Sequence, residues 1–351
     1  MSSTSTTSAA SAAAAGATRT PQGIFCILTG MVLFAAQDAM MKLLIGPYTV
    51  WMLIGVRAVI TAAILIPVIA LIGGEHRLKT PYWRLYVLRG ALFAFGFSLF
   101  YAGFPYMTFA SLVTIFFAAP LITAAMAAIF LGERIGIHRK AALAVGFLGV
   151  VISMRPGSDS FQWVSLLPLI CAMSYAISQI TVRQIGDRDS TLTIGLYTIV
   201  CAGIFVVPMG WALNVLVDLG EHAPHLAFRW FVPTLDALPM LVVLGTVGMA
   251  GYMLLSRAYQ VGDVGAIAPF EYVYLPIAAA IGYFAWGEVP AWNTFVGMAL
   301  IIASGIYIGR REMADARRAK TPAPTAETAF VPGYAPPPPP SDEPGGPPSP
   351  Q

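Results

Sequence analysis

Four of the ionisable side chains that interrupt apolar stretches of this chain could do chemistry. They are Asp38 and Lys42 in AAQDAMMKLL, Arg57 in LIGVRAVI and Glu271 in APFEYVYLP. Asp38 and Lys42 stand at i and i+4, neighbours on one helix face, where opposite charges meet. Arg57 lies as far into the following apolar run as Asp38 lies from the end of its own. Both sit at roughly 10 Å depth, counting 1.5 Å per helical residue. Asp38 can therefore pair with Arg57 or with Lys42. Such a pair either lines a site that takes a solute carboxylate or ammonium, or couples a proton, or ties two helices together. Glu271 has no basic neighbour within one helical turn, and Phe270, Tyr272, Tyr274, Pro269 and Pro276 surround it in the chain. A carboxylate so placed must be neutral or face water. It is the leading single candidate for binding solute or carrying a coupling proton.

Aromatic rings supply the other chemistry. Phe34, Tyr175 and Tyr252 lie deep in apolar runs and are candidates for stacking a solute, with packing as the alternative. Trp51, Trp83, Trp163, Trp211 and Trp292 stand near the ends of such runs and read as interfacial belt residues. Arg89, near the start of its run, is expected to snorkel to the surface. No catalytic arrangement is found. His76, His138, His222 and His225 all lie between apolar runs; His222 and His225 have no third ligand beside them, so no metal site is expected. A phosphate-cradling glycine loop is absent from the sequence, so no ATP motor is expected; without paired carboxylates or a His/Cys cluster at the membrane surface, no enzyme is expected either. No cofactor is called for. The net charge of +3 gives no reason to expect nucleic acid.

The elements that carry these residues follow from composition. The chain is 57% hydrophobic and 11% charged, against about 25% charged in a soluble domain. An all-α protein embedded in the lipid bilayer is the expected class. A helix needs about 20 apolar residues to cross the hydrocarbon core. Ten segments approach or reach this, at 24–45, 49–72, 84–106, 111–131, 140–154, 162–185, 192–213, 235–257, 265–286 and 292–309. Residues 1–22 are mostly Ser, Thr and Ala and read as an unstructured tail. A basic collar and a Pro-rich tail occupy 311–351. Cys26, Cys171 and Cys201 all fall in apolar runs and read as small fillers.

The chain repeats itself. The run through Pro120 ends in Gly132-Glu133, and the run through Pro276 ends in Gly287-Glu288; Pro120 and Pro276 are candidate helix-kink positions, with packing the alternative. A second trace aligns AAQDAMMKLL with AISQITVRQI, pairing Phe34 with Tyr175, Asp38 with Gln179 and Lys42 with Arg183. Repeats of five crossings each, an odd number, must run in opposite directions. The expected units are 23–155 and 156–310. Lys and Arg favour the cytoplasmic side. With the N-terminus inside, only Arg155 and Arg229 of the 20 Lys and Arg residues fall in outer loops, and Lys42, Arg57 and Arg89 fall in spans. Both termini are therefore expected in the cytoplasm. Inverted repeats around a midplane site are a transporter architecture. A small-molecule substrate moved by alternating access, with a proton as a candidate coupling ion, is the functional expectation. A membrane scaffold that recruits partners through its Pro-rich tail is the alternative.

The paired apolar runs ending in Gly-Glu, the basic loop after Glu133 and GFLGVVISMRPG at 146–157 resemble the EamA family of the drug/metabolite transporter superfamily. The resemblance spans about Gly23 to Gly309. It implies a ten-helix secondary carrier with cytoplasmic termini in a bacterial-type inner membrane. QDAMMK followed by Arg57 in the next helix is similar to a subgroup of S-adenosylmethionine- or riboflavin-like uptake carriers.

Overall fold

A computed structural model describes residues 4–72, 80–130, 136–156, 162–185, 189–217, 223–230, 233–261 and 267–319. Glu133, His76, His222 and the Pro-rich tail lie outside them. Among the described residues the structure is helical, with no strand beyond one isolated bridge between Ile45 and Tyr48. The helices are α1 (Thr4–Leu44), α2 (Val50–Ile72), α3 (Trp83–Ala102), α4 (Phe109–Phe116), α5 (Ala118–Phe130), α6 (Ile137–Met154), α7 (Leu166–Ile185), α8 (Thr191–Leu216), α9 (Leu238–Val261), α10 (Tyr274–Trp286) and α11 (Trp292–Ala319). Nine stretches of this set are long and apolar enough to cross a membrane, the joined α4–α5 counting as one. The chain is a multi-pass membrane protein. Its outward faces carry Phe25, Val59, Leu71, Ile204 and Phe284, all exposed, a surface that suits hydrocarbon and not water.

Several boundaries differ from expectation, and three of them bear on the tail, the basic loop and the collar. α1 begins at Thr4, inside the stretch read as a tail, where Ser and Thr are interspersed with alanine, the residue of highest intrinsic helix propensity. α6 begins at Ile137, within the basic loop. α11 runs on through Arg310 and Arg311 to Ala319, so the collar continues the last helix.

Two spans are broken. The run through Pro120 divides into α4 and α5 at Phe117, three residues before the proline. Proline has no N–H and crowds the carbonyl four residues back, here that of Phe116. The run 265–286 opens as a 3₁₀ segment, Ala268–Val273, and becomes α-helical only at Tyr274. Its α-helical part is 13 residues long, which is why this segment does not count among the nine. Pro269 and Pro276 flank that change of pitch. The two broken spans lie side by side: Phe117 stacks on Tyr274 at 5.9 Å between ring centres and meets Tyr272 at 5.7 Å.

One apolar core joins the two halves of the sequence. α1 packs on α9, α11 on α6, and α3 on both α7 and α8. Cys26, Cys171 and Cys201 are free thiols.

Candidate functional site

The centre of the bundle holds a cavity of about 80 Å³. Its walls come from helical spacing. On α1, Phe34, Gln37 and Asp38 share a face at i, i+3 and i+4; on α3, Phe93, Phe97 and Tyr101 stand at successive i+4 steps. α2 adds Arg57 and Thr61, α7 adds Tyr175, α8 adds Gly195 and Thr198, and α9 adds Gly248 and Tyr252. Glycine at 195 makes room for the Tyr252 ring, since a Cβ there would lie 2.7 Å from it. Phe97 is the hub of the aromatic wall, with ring centres of Phe93 at 4.3 Å, Phe116 at 5.8 Å, Phe100 and Tyr101 at 6.0 Å, and Tyr175 at 6.2 Å.

Asp38 is buried, and three donors converge on it. Tyr274 donates to one oxygen at 2.5 Å; Tyr101 and Gln37 each donate to the other at 3.1 Å. Arg57 Nη1 donates to the Tyr101 oxygen at 3.0 Å. The phenol accepts from the guanidinium and passes its own proton toward the carboxylate. Arg57 and Asp38 are therefore linked through Tyr101 and not in direct contact. Charge-assisted hydrogen bonds of this kind are about twice as strong as neutral ones. Tyr274 reaches Asp38 from α10, from the spot where Phe117 stacks on it. The broken spans thus set the position of the phenol that holds the central carboxylate.

Lys42 does not pair with Asp38, whose oxygens already take three donors. It forms an ion pair with Glu288 and donates to Met107 O at 3.4 Å. The pair is mostly buried, the side chains 9% and 18% exposed. The ammonium also faces the Trp286 ring at 5.0 Å and the Phe104 ring at 5.9 Å. Glu288 is delivered here by Gly287, whose φ of +65° ends α10 in the left-handed region. Its second oxygen accepts from Phe109 N at 2.7 Å, at the start of α4. These residues line a separate cavity of about 380 Å³ together with Pro105, Tyr106 and Thr108.

Arg89 does not snorkel. It is fully buried, one i+4 step before Phe93 on the α3 stripe. Nε donates to Thr198 at 2.7 Å, and Nη1 donates to Ser178 O at 2.9 Å and to Gln179 at 3.2 Å. Acceptors supplied by α7 and α8 take the Nε and Nη1 protons without a path to the surface. Trp51 is also buried, its indole N–H donating to Leu226 O at 2.8 Å beneath the 214–233 connection, so it is not a belt residue.

Of the residues singled out by sequence, Asp38, Arg57, Phe34, Tyr175 and Tyr252 line the central cavity. Glu271 does not: it is buried on the 3₁₀ segment and accepts from Tyr259 at 2.7 Å. Pro120 and Pro276 are likewise off its walls. Sequence reasoning missed Phe97, Tyr274 and the role of Arg89. The stripe Arg89, Phe93, Phe97, Tyr101 was the available signal for two of them. The aligned positions Phe34 and Tyr175 both face the cavity, and positions 38 and 179 are each linked to a buried arginine.

A largely apolar, aromatic cavity with a buried Asp38–Tyr101–Arg57 chain on its wall thus lies among membrane-crossing helices. The chain belongs to the EamA-like transporter family, which matches residues 21–155 and again 162–310. An S-adenosylmethionine uptake transporter of Rickettsia bellii is 28% identical over 286 residues, covering 82% of this chain and 92% of the relative. A riboflavin transporter of Rhizobium johnstonii is 29% identical over 253 residues, covering 71% and 77%. A pseudopaline exporter of Pseudomonas aeruginosa is 25% identical over 226 residues, covering 64% and 74%. A solved crystal structure aligns with a TM-score of 0.54 at 18% identity, covering 86% of this chain and 99% of that one, and speaks to the fold alone. The protein is a membrane transporter of small metabolites.

Proposed function

We propose that this chain is a secondary active transporter that moves a small polar metabolite across the bacterial inner membrane by alternating access around the Asp38 cavity. The observation that carries the reading is the buried Asp38 carboxylate, held by Tyr101, Tyr274 and Gln37 and linked to Arg57, on the wall of an aromatic cavity at the centre of the bundle. Ionisable groups at this depth cost about 2.5–3.5 kcal/mol each on insertion scales, so they face a cavity or a partner. Here they do both. The topology in this reading has ten crossings in two inverted five-helix repeats, 23–155 and 156–310. The broken 268–286 segment is the ninth crossing, and both termini are cytoplasmic. The Lys42–Glu288 cavity then opens toward the outside.

A cavity of about 80 Å³ falls well short of the ~300–1,000 Å³ of a ligand pocket. In this reading, loading requires the aromatic walls to part. Phe34, Tyr175 and Tyr252 are the stacking surfaces; Asp38 and Arg57 read the solute's charge or carry the coupling proton. Glu271 is a second carboxylate for coupling. The relatives named for S-adenosylmethionine and riboflavin supply the first solutes to try, both with a flat heterocycle.

The test is uptake of each labelled compound into proteoliposomes, with and without an imposed pH gradient. Asp38→Asn should lower uptake by about tenfold or more, the loss expected when a carboxylate that accepts charge-assisted bonds of about 1.5–3 kcal/mol is neutralised. Wild-type rates in Asp38→Asn and Arg57→Met alike would remove the site from the mechanism.

A further inference from the structure

The shell around the Lys42 ammonium has the composition of a recognition site for an organic cation. It has one carboxylate (Glu288), one main-chain carbonyl (Met107) and two aromatic faces (Trp286 and Phe104). Carboxylate, carbonyl and ring face are the three groups that attract an ammonium, and aromatic faces attract onium groups as well. The shell is built independently of Lys42. Glu288 is fixed by the Gly287 turn and by the Phe109 N–H. Trp286 is the last residue of α10, and Met107 and Phe104 sit on the turn between α3 and α4. Lys42 enters from a different helix, α1. The cavity beside it is about 380 Å³, several times the central one and large enough for a small amine.

We propose that this cage is an organic-ammonium binding site, with Lys42 as a tethered occupant that a free ammonium group can replace. In that arrangement Lys42 is a competitor built into the fold: it fills the cage when no solute is present and withdraws when one binds. Use of the cage by the carried solute rests on the transport reading above; the capacity of the cage to bind an alkylammonium does not.

The experiment is chemical rescue on the full chain in detergent, which reads binding and not transport. Lys42→Ala removes the tethered ammonium and leaves Glu288, Met107, Trp286 and Phe104 in place. Titration with n-butylammonium should raise its melting midpoint in proportion to log concentration, as expected for a ligand of the folded state. The apparent affinity should exceed that of the unsubstituted protein by about tenfold or more, the range of a desolvated cation–π contact joined to an ion pair. Lys42→Ala/Glu288→Gln should lose the effect. Tetramethylammonium, which cannot donate to the Met107 carbonyl, should rescue more weakly. If Lys42→Ala gives no folded protein, Lys42→Ser is read in the same way. A midpoint in either variant that ignores butylammonium, or responds no more than the unsubstituted protein does, overturns the proposal. Rescue without any uptake activity in proteoliposomes would leave the cage standing and count against the transport reading alone.

Discussion

Tyr274 shows how much of the site is indirect. Its hydroxyl gives Asp38 the 2.5 Å contact, yet it belongs to a helix that contributes nothing to the cavity wall. Replacing it with Phe should leave the protein folded. It should weaken solute uptake by about 10-fold to 150-fold, the equivalent of one hydrogen bond to a charged group at about 1.5–3 kcal/mol. Initial rates over a concentration series would show whether the loss sits in KM or in kcat. If both stay at the wild-type value, the Tyr274–Asp38 contact has no part in transport. Asp38 and Arg57 were legible in the sequence because a charge in an apolar run must be accommodated somewhere. Their true relation was not, because it passes through Tyr101, and a phenol in an apolar helix gives no sign of what its hydroxyl meets. Lys42 was misread for a related reason. Helical spacing names the neighbour on the same helix, Asp38, whereas the partner lies 246 residues away. For Arg89 the sequence supplied a depth but not the acceptors on α7 and α8 that make full burial tolerable.

At the level of elements, the Gly-Glu signature has a physical account in the second repeat. Gly287 takes a left-handed φ of +65°, which costs other residues roughly 1–2 kcal/mol. The turn it makes brings Glu288 N to Gly282 O at 3.1 Å and sends the carboxylate to Phe109 and Lys42. Gly287→Ala should therefore lower stability by about that amount. It should also loosen the Lys42–Glu288 pair, seen as a midpoint more sensitive to salt than that of the unsubstituted protein. Equal salt dependence in the two proteins would disconnect the turn from the ion pair. The repeat of proline-bearing runs was plain in the sequence. Where each run would break was not: Phe117 carries no breaking signal of its own, and the change from 3₁₀ to α at Tyr274 falls between Pro269 and Pro276 and not at either of them.

On the scale of the whole molecule, one buried histidine outside the spans links stability to pH. His225 Nε2 lies 3.2 Å from Ala102 O; a carbonyl only accepts, so that nitrogen carries the proton. Burial pushes the His225 imidazole below its ordinary value of 6.5. Between that depressed value and 6.5 the unfolded chain binds more protons than the folded one, so stability falls as pH falls through the window. The melting midpoint should drop on acidification below pH 6.5, and His225→Gln should show a smaller drop; parallel curves would remove His225 from the effect. The class of the protein and the approximate place of most spans were readable because lipid dictates long apolar runs. How the chain closes its centre was not, since that depends on rings from separate helices meeting at Phe97. That closure has an electrical meaning. A proton crosses a membrane quickly only along an unbroken file of water, and a void of about 80 Å³ walled by Phe93, Phe97 and Tyr175 interrupts any such file. The unloaded protein should behave as an insulator that leaves the membrane potential undrained, and Phe97→Ala, by opening the wall, should admit a measurable proton leak into liposomes.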